Sequence, residues 1–292
     1  GLALETQFLA YLYHTNQHEL ALWIRDNVKF PSCMVDRITP RTTDALRQDV
    51  ERRFPGYGYN AVQTEEYRQW IIEDKFASDF PDLTQVGAVI TKDIEPYEET
   101  KIRILNGGHT SLAYLGALSG YNTFDEVMND PIHRRHFKQL QHGEIIPSIE
   151  GELPFDIYEY VDKVEERFSN ATNVDELDRI CMDGFTKFHT FVVPSLRKCL
   201  EQGKKPINIY KSIAAWYIYS RRFARGCKKI RYNEPNWTLL EPLLRDGAVD
   251  AFVSNERLWG DIPKKFVSFT RDLKTILLSQ TYEHEIDLLV ND

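Results

Sequence analysis

The segment DIEPYEETKIRILNGGHTSLAYLGALSGY (residues 93–121) decides how the rest of the chain is interpreted. Its acidic residues stand where a first helical turn would be, and Pro96 falls where a missing backbone N–H costs little. Apolar residues then recur at intervals of three and four. The pattern predicts one long helix over residues 96–119, with two adjacent glycines, Gly107 and Gly108, inside it.

Three polar side chains of this helix have the spacing K-x4-N-x2-H. At about 100° per residue, Lys101 and His109 come within roughly 80° of each other, and Asn106 and His109 within roughly 60°. One broad face can therefore present all three. Gly107 and Gly108 remove side-chain bulk there at about 1 kcal/mol each, which is understandable if another backbone or a planar ligand approaches closely.

The combination of Lys, Asn and His suits the oxidation of a secondary alcohol without a metal. A buried lysine can serve as the base, and an Asn amide can donate to the developing alkoxide. His109 would then orient neighbouring hydroxyls. Glu98, one turn before Lys101, could pass protons to solvent, although the same spacing also gives an ordinary surface ion pair. Without further support, a solvated lysine and a hydrogen-bonded core histidine would be favoured.

Helical periodicity dominates the remaining sequence, whereas strand signals are few. The best strand signal is VGAVIT, residues 86–91. We therefore expect a mainly α, multi-helical domain with at most a minor sheet. The other predicted helices cover residues 2–14, 18–27, 42–53, 64–77, 123–142, 156–168, 173–187, 190–202, 207–222, 236–246 and 264–287.

Domain organisation is inferred from what the sequence lacks. No linker divides the chain, so residues 1–292 are predicted to form one domain. A dinucleotide-binding unit needs a strand, a glycine-rich turn and a helix in succession, and the glycines of residues 106–109 lie inside a helical pattern instead. We therefore expect that a Rossmann domain is absent from this chain. Because a helical pattern begins directly after Gly1, we interpret the chain as part of a larger fold.

Composition excludes several classes of function. Lys and Arg number 36 against 44 Asp and Glu, a net charge of −8, which disfavours nucleic-acid binding. No apolar stretch is long enough for a membrane helix, and the N-terminus lacks the order of a secretory signal. The cysteines are far apart and predict reduced thiols in the cytoplasm; they are Cys33, Cys181, Cys199 and Cys227.

Two charged clusters have simple explanations. The histidines of PIHRRHFKQLQH (residues 131–142) lack the acidic ligand and glutamate base of a zinc helix, so we expect a solvated helix face and no metal. Arg221-Arg222 and the segment 228–231 (KKIR) bracket Cys227. We interpret this basic patch as a surface loop, with a phosphate or partner contact as the alternative.

Several segments, in the same order, resemble the long-chain polyol-specific dehydrogenases and reductases, the mannitol dehydrogenase family. The pattern of Lys101, Asn106 and His109 matches the signature of that family. The other resembling segments are FPSCMVDRITP (30–40), QWIIEDKF (69–76), LNGGHTSLAYLGALSGY (105–121), ERFSN (166–170) and DRICMDGFTK (178–187).

The resemblance implies an enzyme that interconverts a polyol and its ketose with NAD or NADP and without a metal. It implies that Lys101 is the general base in oxidation and the acid in reduction. Asn106 would be half of an oxyanion site, whose other half is an Asn in the N-terminal Rossmann domain of the same protein. By motif position, the residues that contact substrate or frame the pocket are Asp36, His109, Arg179 and Lys187.

Alternatives remain open at this stage. Asp36 could cap a turn with Arg37, and Arg179 could pair with Asp183 at helical spacing. Departures from the family pattern at Ala171 and Phe185, and a weak match after residue 221, leave the substrate undetermined. A hexuronate (fructuronate-type) reductase and a non-catalytic binding or dimerisation fragment are the competing functions. Because the cofactor domain is expected to lie outside this chain, we expect the chain alone to be inactive.

Overall fold

The structure is a computed structural model, and it describes residues 1–279. Of these residues, 62% are helical. It divides into two compact units: the first comprises residues 1–39, 64–99 and 152–154, and the second comprises residues 40–63, 100–151 and the chain from 155 onward. The prediction of a single domain depended on the lack of a linker. Because the chain passes between the two units several times, no single linker separates them, and the sequence gives no sign of the boundary.

The first unit begins with a helical hairpin. Helix α1 (Leu2–His14) and helix α2 (His18–Asn27) pack through a small apolar cluster. Leu12 from α1 is buried there against Ala21 and Ile24 from α2. The remaining faces of these two helices are largely exposed.

A three-stranded sheet completes the first unit. Strand β1 (Cys33–Asp36) pairs antiparallel with the central strand β2 (Gln69–Glu73), which pairs parallel with β3 (Ala88–Thr91). The predicted strand over 86–91 thus begins at Ala88, because Gly87 turns the chain with a φ of 91°.

The helix predicted over residues 64–77 is wrong, because β2 occupies its centre. Trp70, Ile71 and Ile72 form a short continuous apolar run, and periodicity alone does not distinguish a buried strand from a buried helix in such a run. Ile71 is fully buried and lies between Met34 and Val89 on the neighbouring strands. Pairing with β1 and β3 stabilises the strand, and local periodicity in the sequence does not show this pairing.

The second unit is helical in its regular structure. Its core forms where α5 (Gly108–Leu118) packs against α12 (Ile207–Ala224), and most side chains of both are buried. The other α-helices are α3 (Asp44–Arg53), α6 (Phe124–Asn129), α7 (Pro131–Leu140), α8 (Ile157–Phe168), α9 (Leu177–Ile180), α10 (Gly184–Lys187), α11 (Val193–Glu201), α13 (Trp237–Leu240), α14 (Val249–Val253), α15 (Glu256–Trp259), α16 (Ile262–Lys265) and α17 (Val267–Leu277).

Helix boundaries were harder to predict than the helices themselves. The helix predicted over residues 123–142 is broken at Asp130, whose carboxylate caps α7 by accepting from the backbone N–H groups of Ile132 and His133. The prediction over 264–287 covers part of α16 and all of α17, and its residues 280–287 lie outside the described part of the chain. No helix within residues 1–279 combines the length and apolarity needed to cross a bilayer.

Candidate active site

The helix predicted over 96–119 is present but changes its winding. After α4 (Glu95–Thr100), residues Lys101–Gly107 form a π-helix, and α5 follows directly. A π-turn closes i→i+5 hydrogen bonds, is rare, and is frequent at functional sites. Lys101 and Asn106 both lie in it, so the angles derived from 100° per residue do not apply to them.

The glycines after Asn106 are required by close packing. A Cβ at Gly107 would lie 2.9 Å from the carbonyl oxygen of Phe191, and a Cβ at Gly108 would lie 2.5 Å from Nε2 of Gln141. Both glycines have ordinary helical φ angles, so space rather than conformation demands them. Of the two causes considered from the sequence, the structure shows the close approach of another backbone.

The Asn106 amide differs from that of Gln141 in its contacts. Asn106 is half-buried, and among residues 1–279 its side chain has no hydrogen-bond partner in the protein. Gln141, by contrast, is fully buried and donates through Nε2 to the carbonyl of Ile104 (2.9 Å), which fastens the π-helix to its neighbour. The segment therefore combines a backbone held by Gln141 with an amide that can form a further hydrogen bond.

His109 lies in the first turn of α5, with 17% of its side chain exposed. Its ring contacts Phe124 edge-on (centroids 4.2 Å apart) and stacks on Phe168 (5.0 Å), while Nε2 is 3.9 Å from Asp175 Oδ2. Burial lowers the pKa of His109 to about 3, and the weaker attraction of Asp175 does not reverse this shift. The imidazole is therefore neutral at pH 7.

Arg179 forms an ion pair beside this histidine. Its Nε donates to Asp175 Oδ1 (2.7 Å), and its Nη2 donates to Asp175 Oδ2. Asp175 is buried and its carbonyl accepts from the Phe124 N–H (2.9 Å), so the carboxylate is held in place. The two-pronged contact fixes the guanidinium plane. The acid that pairs with Arg179 is thus Asp175, rather than the Asp183 considered from helical spacing.

Lys187 is the third polar group of this cluster. Its ammonium Nζ donates to the carbonyl of Ile180 (2.8 Å), and the side chain is half-buried. Burial lowers the pKa of Lys187, and the charge of Arg179 also contributes to the lowering. His109, Asp175, Arg179 and Lys187 therefore interact electrostatically, and Asp175 is the member that sequence reasoning missed. Its i,i+4 spacing to Arg179 was the available signal.

Two predicted site residues belong to the first unit. Asp36 is the last residue of β1 and is buried, and Glu98 is a half-buried residue of α4. Arg37, the turn partner considered for Asp36, donates through Nε to the carbonyl of Glu65 (3.0 Å). The functional roles of Asp36 and Glu98 stay predictions.

The expectation of a solvated helix face for the histidines of α7 is wrong for His133, which is buried. His133 Nδ1 lies 2.7 Å from Asp130 Oδ1, and its Nε2 lies 3.1 Å from Ser119 Oγ. Burial lowers the pKa of His136 to about 4. In the described range 1–279, no three His, Cys, Asp or Glu side chains are grouped as metal ligands.

Comparison with known proteins assigns the family. The profile of the mannitol dehydrogenase C-terminal domain matches residues 93–277, more than half of the chain. The chain belongs to the mannitol dehydrogenase family. It is 35% identical to mannitol dehydrogenase DSF1 of Saccharomyces cerevisiae over 85% of this chain and 49% of that protein. It is 31% identical to mannitol 2-dehydrogenase of Pyrenophora tritici-repentis over 92% of this chain and 48% of that protein.

Two solved structures are similar to this chain in fold. Mannitol 2-dehydrogenase of Pseudomonas fluorescens, in a ternary complex with NAD and D-mannitol, is 29% identical, with a TM-score of 0.81 over 100% of this chain and 60% of that one. A substrate-free D-sorbitol dehydrogenase is 27% identical, with a TM-score of 0.80 over 92% of this chain and 56% of that one. The chain spans about half the length of the curated relatives it matches.

The Rossmann-domain profile of the family matches residues 4–85. Our expectation that a Rossmann domain is absent from this chain, and that the main NAD or NADP domain lies wholly outside it, is therefore wrong. The expectation took a glycine-rich turn as the mark of that domain. Strands β1 and β2 lie in the matched range. They are followed by Arg37 and Asp74 and not by a glycine-rich turn, so part of the domain is present without such a turn.

Proposed function

We propose that the protein containing this chain interconverts a polyol and its ketose by hydride transfer to or from NAD or NADP. Family membership and the neighbour solved with NAD and D-mannitol support the class of substrate and cofactor. The observation that carries the proposal is the Asn106 amide, which has no hydrogen-bond partner among residues 1–279. It lies on the same π-helix as Lys101 and close in sequence to the neutral His109.

The described residues do not include the usual phosphate-binding turn for a dinucleotide. Within residues 1–279, no strand leads through a glycine-rich turn into a helix; β3 reaches α4 through Lys92, Asp93 and Ile94. We therefore assign these residues no contact with a pyrophosphate. When bound, the nicotinamide cofactor accepts or returns the hydride.

The proposed roles follow from the chemistry of each side chain. In oxidation, Lys101 Nζ takes the proton of the reacting hydroxyl, and in reduction it returns that proton. The Asn106 amide donates to the same oxygen while it carries negative charge. The neutral ring of His109 can donate through one nitrogen and accept through the other, so it orients a neighbouring hydroxyl.

Arg179 and Lys187 donate to the remaining hydroxyls of the substrate in this proposal. The pairing of Arg179 with the buried Asp175 offsets its charge, and burial lowers the pKa of Lys187. Lysine and arginine side chains can serve either an uncharged polyol or a hexuronate. The choice of a polyol is therefore supported by the relatives named mannitol dehydrogenase.

The hypotheses that the chain alone is inactive or is a non-catalytic fragment are no longer supported. Both rested on the absence of a Rossmann domain, and residues 4–85 match the profile of one. The activity proposed here is that of the full-length protein.

Steady-state assays of the full-length protein test this function. We expect NAD- or NADP-dependent oxidation of mannitol or arabinitol, and no comparable reduction of fructuronate. Arg179→Ala and Lys187→Ala should each raise the KM for the polyol. Preferential reduction of fructuronate would support the hexuronate reductase, and the lack of any nicotinamide-dependent turnover would contradict the proposal.

A further inference from the structure

A short segment far along the chain holds the turn that leads to Lys187. The backbone N–H of Asp183 donates to the carbonyl of Asn233 (2.9 Å), and the N–H of Phe185 donates to Glu234 Oε2 (3.0 Å). Glu234 is buried, with 7% of the residue exposed. Two consecutive residues of one segment thus hold both sides of the turn at Gly184.

Helix α10 receives its N-terminal cap from this distant carboxylate. Asp183 precedes the helix with a φ of 54°, and its side chain makes no cap hydrogen bond. Glu234 occupies that position and satisfies an N–H group at the first turn, where a negative charge is also favoured by the helix dipole. The cap sits two residues before Lys187.

Glu234 is itself fixed by donors. Its Oε2 accepts from the Tyr232 hydroxyl (2.8 Å), and its Oε1 accepts from the Asn236 N–H (3.0 Å). The Tyr232 oxygen accepts in turn from Trp216 Nε1 (2.9 Å). Burial and the neighbouring Glu234 hold the pKa of Tyr232 well above its usual range, so its phenol remains a donor.

The turn packs directly against these polar groups. A Cβ at Gly184 would lie 2.4 Å from Trp216 Nε1, 2.5 Å from the Tyr114 hydroxyl and 2.8 Å from the Tyr232 hydroxyl. The Tyr114 hydroxyl donates to the carbonyl of Cys181 (2.7 Å). The backbone is therefore held on both sides of Gly184 with little room to move.

Lys187 is connected to this turn at both ends. Its backbone belongs to α10, which Glu234 caps, and its ammonium donates to the carbonyl of Ile180, the residue before Cys181. A shift of the turn would change the position of the ammonium even if Lys187 itself were unaltered.

We propose that Glu234 is a positioning residue that sets the location of the Lys187 ammonium through the cap of α10. The inference rests on the proposed function, in which Lys187 contacts the substrate. It assigns Glu234 a role in substrate affinity without contact with substrate.

The chain offers a matched control at Glu144. This buried carboxylate also caps a helix from a distance: Oε1 accepts from the backbone and side-chain N–H groups of Asn208, and Oε2 accepts from the N–H of Ile209, all at 2.8 Å. Each carboxylate is contacted by donors, so replacing either Glu with Gln turns an amide NH₂ toward a donor. The two substitutions are chemically equal, but only Glu234 holds α10.

The experiment compares Glu234→Gln and Glu144→Gln in the full-length protein by polyol-oxidation kinetics and thermal unfolding. Loss of one helix-capping hydrogen bond changes an equilibrium constant by about fivefold. We therefore expect Glu234→Gln to raise the KM for the polyol about fivefold, with kcat changed less. Glu144→Gln should lower Tm and leave the KM unchanged. An equal rise in KM for both variants, or none for Glu234→Gln, would overturn the inference.

A double-mutant cycle with Lys187→Ala separates this inference from the proposed function. If Glu234 acts through Lys187, Glu234→Gln should have no further effect on KM in the Lys187→Ala background; a persisting effect refutes the positioning role. If Lys187→Ala leaves KM unchanged, the substrate role of Lys187 fails, and the inference fails with it. Should Glu234→Gln not fold, Tyr232→Phe, which removes one donor to Glu234, should raise KM in the same way, and an unchanged KM would refute the inference.

Discussion

At the scale of single residues, the polar cluster of the second unit is organised by burial. His109 lies between two aromatic rings and is neutral, Asp175 accepts from Arg179 through both of its oxygens, and Lys187 is desolvated. Such a set can donate to and accept from several hydroxyls without a large excess of charge. The residue types were readable from the sequence, but the partnership with Asp175 required the fold.

His109 should make the protein sensitive to acid. Its pKa is about 3 in the folded state, against about 6.5 in an unfolded chain. Protonation therefore favours unfolding, and stability present above pH 6.5 is lost as the pH falls toward 3. The expected loss from this residue between pH 7 and pH 5 is about 2 kcal/mol.

Urea unfolding of the wild type and of His109→Asn at pH 7 and pH 5 measures this effect. The variant should lose less stability than the wild type over that interval. His136, whose pKa is also lowered, is present in both proteins and contributes equally. The same loss in both proteins would show that His109 is not desolvated as described.

Lys187 predicts a pH dependence of substrate binding. Because burial lowers its pKa below the ordinary 10.5, its charge is lost at a lower pH than that of a solvated lysine. The KM for the polyol should therefore rise on the alkaline side, as the pH passes the pKa of Lys187. Lys187→Arg keeps the charge at every accessible pH and should remove this rise. A rise of equal size in the variant would assign the titration to another group.

At the scale of elements, the sequence predicted the helix that carries Lys101 and Asn106 but not its winding. Apolar spacing in residues 96–119 fits an α-helix throughout, and periodicity gives no sign of the π-helix at Lys101–Gly107. That segment depends on tertiary contacts, such as the donation of Gln141 to Ile104. The strand β2 was missed for a related reason, since its neighbours in the sheet are distant in sequence.

Gly107→Ala tests the close packing of the π-helix. Its Cβ would lie 2.9 Å from a backbone carbonyl, which cannot yield as a flexible side chain would. We expect a loss of about 1–3 kcal/mol in the free energy of unfolding. Gly143→Ala is the control, because that glycine lies in another π-helix with open space around its Cβ position. Gly143→Ala should be neutral or stabilising; equal effects would mean that helix propensity, and not packing, decides.

Gln141 tests the attachment of the same segment. Gln141→Met keeps much of the volume but removes the donor to the carbonyl of Ile104. The carbonyl of Ile104 still accepts from the backbone N–H of Gly108, so the free energy of unfolding should fall by about 1 kcal/mol, the contribution of one hydrogen bond. Because Lys101 and Asn106 lie on the segment, kcat should also fall. A stability loss with unchanged kcat would separate the attachment from the positioning of these residues.

At the scale of the whole molecule, ordered motifs identified the family, whereas absent motifs misled. The spacing of Lys101, Asn106 and His109 is a positive signal and led to the family that residues 93–277 confirm. The missing glycine-rich turn was treated as a missing domain, although residues 4–85 match the Rossmann profile. A domain is defined by its packed strands and helices, and one turn is a small part of it.

The turnover of Lys101→Ala in the full-length protein is the most direct test of the proposal that Lys101 is the general base. General-base catalysis contributes about 10²- to 10⁴-fold, so kcat for polyol oxidation should fall by that amount. Thermal unfolding should change little, because Lys101 is half-buried at the surface of its helix and not part of the apolar core. A folded variant with kcat reduced by this factor is the predicted result. Undiminished turnover would contradict the assignment of Lys101 as the base.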